Sequence, residues 1–386
     1  MKRQRELKWL PQLCLGLMFS VNGSWWLVAA EVPAPPAVMI ANVPPWPVGP
    51  FVMLRGGGVV AGRLRELAAD RVMVDSVSCG TLDLPRTAVT GYRSSPRVGP
   101  LINTAGNATI WVTLANGDRV AATTVRSDGL VLWLDGFAES NPIRTPLEIP
   151  FERILGIDFG VGDTSALDSR EAVALAALGC WVGLEDGSRF ACENSAEQVS
   201  QAPEGPISLR PLLRGLAVPL LCPADAIAVV EPGGSRLRLA LVEPEEGPAG
   251  ALATSLTRGC TYSGDWPRLR GQTGFTAIGL HAPAAVRYRF DRPAVRFTAT
   301  VGIDDTAGQG GSVRVRVLAG THAPAQDTHV EVFRSPVISG GDAPLAIDLP
   351  LADATSLELQ VGPADGGAVL DRTLWLDPQA WFRSAD

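Results

Sequence analysis

Residues 295–301 read VRFTATV, and this alternation of apolar and polar side chains decides the fold of the chain. Successive side chains of a β-strand point to opposite faces, so the pattern is typical of a strand with one buried face. The same period of two recurs in four neighbouring segments, residues 286–290, 313–317, 345–349 and 357–361. Several such strands separated by turns predict an antiparallel sandwich or jelly roll over residues 235–386.

Upstream of this domain, the chain contains three related segments, each with a predicted strand, a tight turn and a second strand. The turns contain glycine, and they lie at residues 56–58, 116–118 and 186–188. Asn-Gly and Asp-Gly pairs tolerate the positive φ angles of hairpin turns. The segments predict three units, at residues 51–100, 101–163 and 164–234.

Each of these segments also ends in the same way, with a proline followed four residues later by a β-branched residue. The pairs are Pro85 with Val89, Pro150 with Ile154, and Pro223 with Ile227. A proline can end a strand because it has no N–H for the ladder, and the chain can then turn and re-enter as a last strand. The pattern predicts three bent barrels of about five strands, with the hairpins of a general all-β protein as the alternative.

The turn and the proline ending resemble the Sm-like or SH3-like small barrels that precede carbohydrate-binding modules in bacterial surface proteins. The predicted fold class is therefore all-β, with small barrel-like repeats followed by a C-terminal jelly-roll β-sandwich.

The N-terminus predicts export. Residues 1–30 begin with four basic residues and one acid, continue with an apolar stretch and end with small residues before Glu31. This order is typical of a secretory signal peptide cleaved after Ala30, with an uncleaved membrane anchor as the alternative. We therefore expect a periplasmic or cell-surface location. Residues 31–50 are rich in proline and glycine, which predicts an extended linker.

The charge of the chain excludes several partners. The formal net charge is −7, and removal of the four basic residues and one acid of the predicted signal makes it −10. No lysine follows Lys8. An acidic chain without a basic stripe does not favour nucleic acid or an anionic lipid surface. The phosphate-binding pattern Gly-x-x-x-x-Gly-Lys is also absent, so no cofactor nucleotide is predicted.

Five cysteines remain after the predicted signal, and they are Cys79, Cys180, Cys192, Cys222 and Cys260. Export permits disulfides, and Cys180 and Cys192 flank one predicted hairpin, so these two could pair. An odd number leaves at least one free thiol. The absence of a Cys-x-x-Cys motif disfavours a thiolate zinc site.

A series of motifs runs through the last domain. They are residues 262–267 (YSGDWP), 279–283 (GLHAP), 296–305 (RFTATVGIDD), 311–317, 335–337 and 340–343, followed by Asp371, Trp375 and Asp377. This series resembles the NPCBM family of carbohydrate-binding modules, first noted beside family 98 glycoside hydrolases. The resemblance implies a galactose-binding type of jelly roll, a structural calcium ion and binding of a glycan or polysaccharide.

The chain departs from the family pattern at the motif that closes its last strand, which contains Asp371, Trp375 and Asp377. Arg372 stands where the family usually has histidine, and Leu374 where it usually has aspartate. A ligand or metal contact made by either of those usual residues would be lost here.

Glycan binding requires an aromatic platform for the sugar ring and polar groups for its hydroxyls. On the matched motifs, the candidate ligand contacts are Asp265, Trp266, His281, Arg372 and Trp375. Two of them have structural alternatives. Trp375 lies between leucines and can be a core residue, while His281 can hold a loop through hydrogen bonds.

The candidate metal ligands are carboxylates. Asp304 and Asp305 follow a predicted strand, where adjacent carboxylates suit calcium, which takes 6–8 oxygen ligands. Asp377 in the closing motif completes the predicted set. A plain polar turn at residues 304–305 is the alternative.

No catalytic residue is predicted. The motifs Gly-x-Ser-x-Gly and His-Glu-x-x-His are absent, and no carboxylate pair lies in a recognisable hydrolase motif. Three functions follow from these observations. The first is a non-catalytic carbohydrate-binding protein of the cell envelope, the second is a structural protein that binds a cell-surface protein partner, and the third is an unrecognised glycoside hydrolase.

Overall fold

The computed structural model describes the greater part of the chain after residue 42. The described residues are 19–21, 24–26, 43–95, 110–136, 146–159, 180–200, 205–211, 219–245, 256–323, 326–364 and 367–383. The chain divides into two compact units, residues 1–40 and 41–386. Within the described residues, no helix is long and apolar enough to cross a membrane.

The first unit contributes one described hairpin, in which strand β1 (Phe19–Val21) pairs with strand β2 (Ser24–Trp26). The rest of the predicted signal peptide, and residues 31–42 of the predicted linker, lie outside the described residues. The signal peptide therefore stays a prediction.

The second unit begins with three repeats of strands, each with a one-turn 3₁₀ helix before its last strand. The first repeat comprises β3 (Phe51–Leu54), β4 (Val59–Ala61), β5 (Arg63–Leu67), β6 (Arg71–Ser76), β7 (Gly80–Pro85), a 3₁₀ helix (Arg86–Ala88) and β8 (Val89–Arg93). The second comprises β9 (Ile110–Leu114), β10 (Arg119–Ala122), β11 (Thr124–Ser127), β12 (Val131–Asp135), β13 (Leu147–Pro150), a 3₁₀ helix (Phe151–Arg153) and β14 (Ile154–Phe159). The third comprises β15 (Cys180–Leu184), β16 (Arg189–Cys192), helix α1 (Ala196–Ser200), β17 (Pro206–Leu209), β18 (Leu220–Pro223), a 3₁₀ helix (Ala224–Ala226) and β19 (Ile227–Pro232).

The turn glycines and the proline ending explain why the repeats share this order. Gly57, Gly117 and Gly187 have φ angles of 86°, 89° and 88°, which favour glycine. The proline before each 3₁₀ helix has a φ between −54° and −57°, close to the value its ring imposes. The predicted strand–turn–strand units and their common ending are therefore present.

The expectation of three separate barrels needs a correction. One sheet of nine strands has the order β10-β9-β14-β8-β3-β4-β16-β15-β19, and a second of six has the order β13-β12-β11-β5-β6-β7. Both sheets run through more than one repeat, and among the described strands no sheet closes on itself. The reason is that a strand of one repeat pairs with a strand of another. β14 of the second repeat pairs with β8 of the first, and β16 of the third repeat pairs with β4 of the first. A single hydrophobic core accordingly contains residues of all three repeats.

The predicted linker is packed where it is described. Val43, Pro44, Trp46 and Pro47 are buried. Residues 43–50 therefore form a strap that lies against folded domains, which corrects the expectation of an extended linker at these positions.

The C-terminal domain is a sandwich built around long strands. Its elements are β20 (Arg236–Arg238), a 3₁₀ helix (Leu239–Leu241), β21 (Thr257–Arg258), β22 (Ala277–His281), β23 (Ala284–Ile303), a 3₁₀ helix (Asp305–Ala307), β24 (Ser312–Ala323), β25 (Gln326–Arg334), β26 (Ile338–Ser339), β27 (Leu345–Pro363) and β28 (Arg372–Phe382). They are hydrogen-bonded in the order β21-β22-β28-β23-β27-β24-β25.

Strands β23 and β27 belong to both layers of the sandwich. Residues 284–289 pair with 356–361 beside β24, whereas residues 296–301 pair with 345–350 beside β28. The side chains of both layers meet in one core, and the inward-facing residues of the predicted strands lie in it. Val286, Phe297 and Val315 are at most 1% exposed. The predicted all-β sandwich is confirmed.

Candidate functional site

Two of the predicted ligand residues lie side by side at one end of the sandwich. His281 is the last residue of β22 and Arg372 the first of β28, and the two are directly paired across the antiparallel ladder. Side chains of directly opposed residues on one face lie close enough to act together. Both are half-buried, so part of each side chain faces solvent.

The loop before β22 adds an aromatic ring to this pair. The Thr261 N–H donates to the Asp265 carbonyl at 2.8 Å, which closes a tight turn. The Tyr262 ring consequently lies against the His281 ring, with 4.8 Å between ring centroids. The turn can lie this close to β22 because Gly279 has no side chain. A Cβ there would be 2.6 Å from the Tyr262 nitrogen.

The turn after β23 supplies the Thr306 hydroxyl, which meets the Ser263 hydroxyl of the loop before β22. The Asp304 carboxylate accepts the Thr306 N–H at 2.8 Å and fixes this turn. Arg372 Nη1 lies 3.4 Å from Thr306 Oγ1, and the Ser263 hydroxyl lies 3.5 Å from the same oxygen. Tyr262, Ser263, His281, Thr306 and Arg372 together form what we call the polar-aromatic surface.

The polar-aromatic surface offers both donors and acceptors. His281 Nδ1 lies 2.7 Å from the Ala282 carbonyl, which can only accept, so Nδ1 carries the hydrogen in the neutral ring. Nε2 is then an acceptor. The guanidinium of Arg372 supplies donors in one plane, and the two hydroxyls can do either. Tyr262 was not predicted as a candidate, although its position in the motif at residues 262–267 could have indicated it.

Trp266 was predicted as a sugar platform, and the structure places it elsewhere. It is only 5% exposed. Its ring packs on Trp46 of the strap, at 4.8 Å, and on Phe51 of the first repeat, at 5.0 Å. A ring covered on these sides cannot stack on a sugar in this conformation, so Trp266 joins the sandwich to the repeats.

Trp375 also differs from the prediction, whereas Asp265 stays a candidate. Trp375 is 0% exposed and lies in the sandwich core beside Phe297, as the structural alternative for this residue expects. Asp265 lies in the same turn as Tyr262, where its backbone closes the turn. Leu374, where the family has aspartate, is buried in an apolar cluster with Leu269 and Leu376.

The three predicted metal ligands do not come together. Asp377 accepts hydrogen bonds from the backbone of Phe275 and Thr276 and forms an ion pair with Arg238 at 2.7 Å. Asp304 lies opposite Arg372. Arg372 precedes Asp377 by five positions in β28, so Asp304 and Asp377 are separated by roughly 16 Å along the strand.

Asp305 is also engaged, because its two oxygens accept the backbone N–H groups of Arg270 and Gly271. Asp304 has a buried Oδ2 without a hydrogen-bond partner, and burial raises the pKa of this carboxyl group. The described residues contain no cluster of three His, Cys, Asp or Glu side chains that could hold a metal ion. The predicted trio therefore does not fit calcium.

A separate cleft of about 710 Å³ lies between the strap and the three repeats. Its walls include Tyr92 and Phe151, and its rim carries Val48 and Val77, which are 87% and 92% exposed. Its acidic lining residues are Asp75, Glu152, Glu185 and Asp186, and Arg63 is basic. The cleft is therefore apolar at its base and negatively charged at its rim.

The C-terminal domain is thus a β-sandwich with aromatic and polar side chains at one exposed end. The family model of the NPCBM/NEW2 domain matches residues 251–380, which confirms the predicted resemblance for this domain. A protein of Renibacterium salmoninarum, provisionally named endo-alpha-N-acetylgalactosaminidase, is 31% identical over 127 residues. This match covers 32% of the chain and 8% of the relative.

Two solved structures are among those to which the chain is similar. The CBM51 module of Clostridium perfringens GH95, in complex with methyl-galactose, is 18% identical, covers 38% of this chain and 99% of that chain, and has a TM-score of 0.32. The tandem CBM51 modules of the family 98 glycoside hydrolase from Streptococcus pneumoniae are 10% identical, cover 71% and 88%, and have a TM-score of 0.32. TM-scores this low do not locate a binding site.

Proposed function

We propose that the protein is a non-catalytic carbohydrate-binding protein of the cell envelope, and that it binds a glycan at the polar-aromatic surface. The observation that carries the proposal is the placement of Tyr262 on His281, beside Arg372, at an exposed strand end. The family match of the same domain supports it.

The chemistry of the polar-aromatic surface suits a sugar. A pyranose has an apolar face of C–H groups, which can pack on the Tyr262 ring, while its hydroxyls both donate and accept hydrogen bonds. Arg372 can donate to two neighbouring hydroxyl oxygens, and His281 Nε2 can accept from a third hydroxyl. Small-molecule binding sites typically combine an apolar contact surface with a few polar groups that orient the ligand.

The same geometry favours binding over hydrolysis. Cleavage of a glycoside uses two carboxyl groups on either side of the scissile bond. The carboxyl group under the polar-aromatic surface belongs to Asp304, which is 1% exposed and whose Oδ1 is occupied by Thr306. This carboxylate holds the turn, and its burial disfavours a role in proton transfer to a sugar.

A glycan array probed with the full chain, followed by calorimetric titration, tests the proposal. α-Linked N-acetylgalactosamine belongs among the probes, because the name of the Renibacterium relative refers to that sugar. We expect Tyr262→Ala and Arg372→Ala to weaken binding about tenfold or more. Arg334→Ala, an exposed arginine on β25, serves as the matched control and should bind like the wild type. Equal binding by all three variants would place the site elsewhere.

The location in the envelope has its own test. We expect N-terminal sequencing of the protein from a periplasmic or surface fraction to begin at Glu31. A protein recovered from the cytosolic fraction with residues 1–30 intact would contradict the proposed export.

A second candidate function is the binding of a protein partner in the cleft beneath the strap. Its acidic rim and exposed Val48 and Val77 fit an extended segment with a basic residue next to an apolar one. A peptide array compares the wild type with Glu152→Lys/Glu185→Lys, and weaker capture of basic peptides by the variant is expected. This candidate becomes the leading one if a folded wild-type chain binds no glycan.

A further inference from the structure

Four cysteines lie in the hydrophobic core that the three repeats share, and they are Cys79, Cys180, Cys192 and Cys222. They form two pairs. Cys79 belongs to the turn between β6 and β7 of the first repeat, and Cys222 to β18 of the third. Their Sγ atoms are 2.8 Å apart, about 0.8 Å longer than a disulfide bond.

The second pair is set by strand register. Cys180 opens β15 and Cys192 ends β16, and the two are directly opposed in this antiparallel ladder. Directly opposed residues have Cα atoms roughly 4.5–5.5 Å apart, which lies within the range that a disulfide spans. Both are at most 2% exposed.

The fifth described cysteine is separate from these pairs. Cys260 lies in the sandwich domain, where the Thr257 hydroxyl donates to its carbonyl. Burial raises the pKa of the Cys260 thiol to about 12, so this group stays protonated and unreactive at neutral pH.

We propose that Cys79–Cys222 and Cys180–Cys192 are the disulfide sites of the protein and that Cys260 keeps a free thiol. Each bond forms when two thiols lose two protons and two electrons to a disulfide oxidant. The oxidant can be an oxidised thiol–disulfide oxidoreductase or oxidised glutathione, which is reduced to thiols in the exchange. The proposal is independent of glycan binding.

The Cys79–Cys222 bond would join the beginning of the repeat array to its end. The same two repeats meet where β4 pairs with β16, through the single residue pair Val59 and Arg189. Next to the cysteines, the Ser78 hydroxyl donates to the Asp186 carboxylate at 2.6 Å. A covalent link there would add to these contacts and to the shared core in holding the first and third repeats together.

Burial determines when the bonds would form. The close contact with Cys222 and burial both raise the pKa of Cys79, and burial raises that of Cys192, whereas the hydrogen bond with Cys192 lowers the pKa of Cys180. Thiolates are the reacting species in disulfide exchange. Oxidation should therefore occur during folding, before the shared core excludes solvent.

Peptide mapping tests the pairing directly, because trypsin places each of these cysteines on its own peptide. The peptides are residues 72–86, 171–189, 190–214, 215–236 and 259–268. The full chain is refolded in a buffer of oxidised and reduced glutathione, alkylated and digested without reductant. We expect the peptide 72–86 linked to 215–236, the peptide 171–189 linked to 190–214, and 259–268 alkylated.

Two results of the map would overturn the proposal. The first is any other pairing of these four cysteines, and the second is a folded protein in which all of them are alkylated or hold a metal ion.

Thermal denaturation gives a second readout that does not depend on the map. A disulfide that closes a loop of more than 100 residues is expected to raise the Tm by roughly 10 °C for a domain of this size. We expect the wild type refolded with dithiothreitol to melt about that much lower than the oxidised protein. The variant Cys79→Ser/Cys222→Ser should lose most of this dependence on reductant, whereas Cys260→Ser should keep it. A wild-type Tm that is the same with and without dithiothreitol would contradict the proposal.

Discussion

Trp46 lies against Trp266 with 4.8 Å between the ring centroids, and its indole N–H donates to the Pro267 carbonyl at 3.2 Å. The Arg189 guanidinium covers Trp46, at 4.0 Å from the ring centroid. Arg189 also donates to the carbonyls of Pro44 and Gly274 at 2.6 and 2.7 Å. The strap is thus held between the third repeat and the sandwich, so these parts form one folded body.

The first prediction concerns Trp266. We expect Trp266→Ala to destabilise the protein by about 3–5 kcal/mol, because it removes a large buried aromatic side chain between the repeats and the sandwich. Trp266→Phe, which keeps an aromatic ring, should cost less. Urea denaturation followed by circular dichroism measures both variants. Glycan binding by the folded Trp266→Phe variant should equal that of the wild type, and a loss of affinity there would return Trp266 to the binding site.

The contrast between residues 295–301 and Trp266 shows what the sequence could predict. A strand pattern depends on neighbours one and two positions away, so alternation predicted the sandwich strands and the proline ending predicted the repeat order. Trp266 looks the same in sequence whether its ring faces solvent or Trp46, because its partner lies more than 200 positions away. The packed strap and the pairing of strands between repeats were missed for the same reason.

His281 and Arg372 could be predicted as site residues because the family motifs contain their positions, but their direct pairing depends on the register of β22 and β28. Tyr262 was missed because only the turn at residues 261–265 brings its ring onto His281.

The second prediction separates ring stacking from hydroxyl contacts at Tyr262. Tyr262→Phe keeps the ring that lies on His281, so we expect it to bind the preferred glycan within a factor of about three of the wild type. Tyr262→Ala removes the ring, and a loss of about 1.4 kcal/mol, or tenfold in Kd, is expected. Titration calorimetry measures both. If the Tyr262→Phe variant binds as weakly as the alanine variant, the hydroxyl and not the ring makes the main contact.

The third prediction concerns calcium. Because Asp377 is paired with Arg238 and Asp305 with two backbone N–H groups, we expect 5 mM calcium chloride to change the Tm by less than about 2 °C relative to EDTA. Differential scanning calorimetry checks this. Asp377→Asn should lower stability equally in both buffers, since the lost interaction is with Arg238. A rise in Tm with calcium that Asp304→Asn abolishes would show that Asp304 binds the ion.

The fourth prediction is a pH dependence that originates in a buried ion network. Glu231 at the end of the third repeat accepts hydrogen bonds from Arg236 and Arg238 of the sandwich, each at 2.6 Å. Burial alone would raise the pKa of Glu231, but the two arginines outweigh it and hold the pKa below its ordinary value. The ionised carboxylate therefore stabilises the fold above about pH 4.3, and this contribution is lost as the pH falls through the lowered pKa of the folded state.

Glu231→Gln tests whether the ionised carboxylate stabilises the fold. At pH 7 it leaves buried arginine charge without its carboxylate, so we expect a loss of about 3–5 kcal/mol in the free energy of unfolding. Urea denaturation at pH 7, 5 and 3.5 should show the difference from the wild type shrinking as Glu231 becomes protonated. Glu331→Gln is the matched control, because its ion pairs with Arg334 and Arg316 lie at the surface and should contribute little to the free energy of unfolding. A difference between wild type and Glu231→Gln that grows towards pH 3.5 would mean that the carboxylate destabilises the fold, contrary to the network described here.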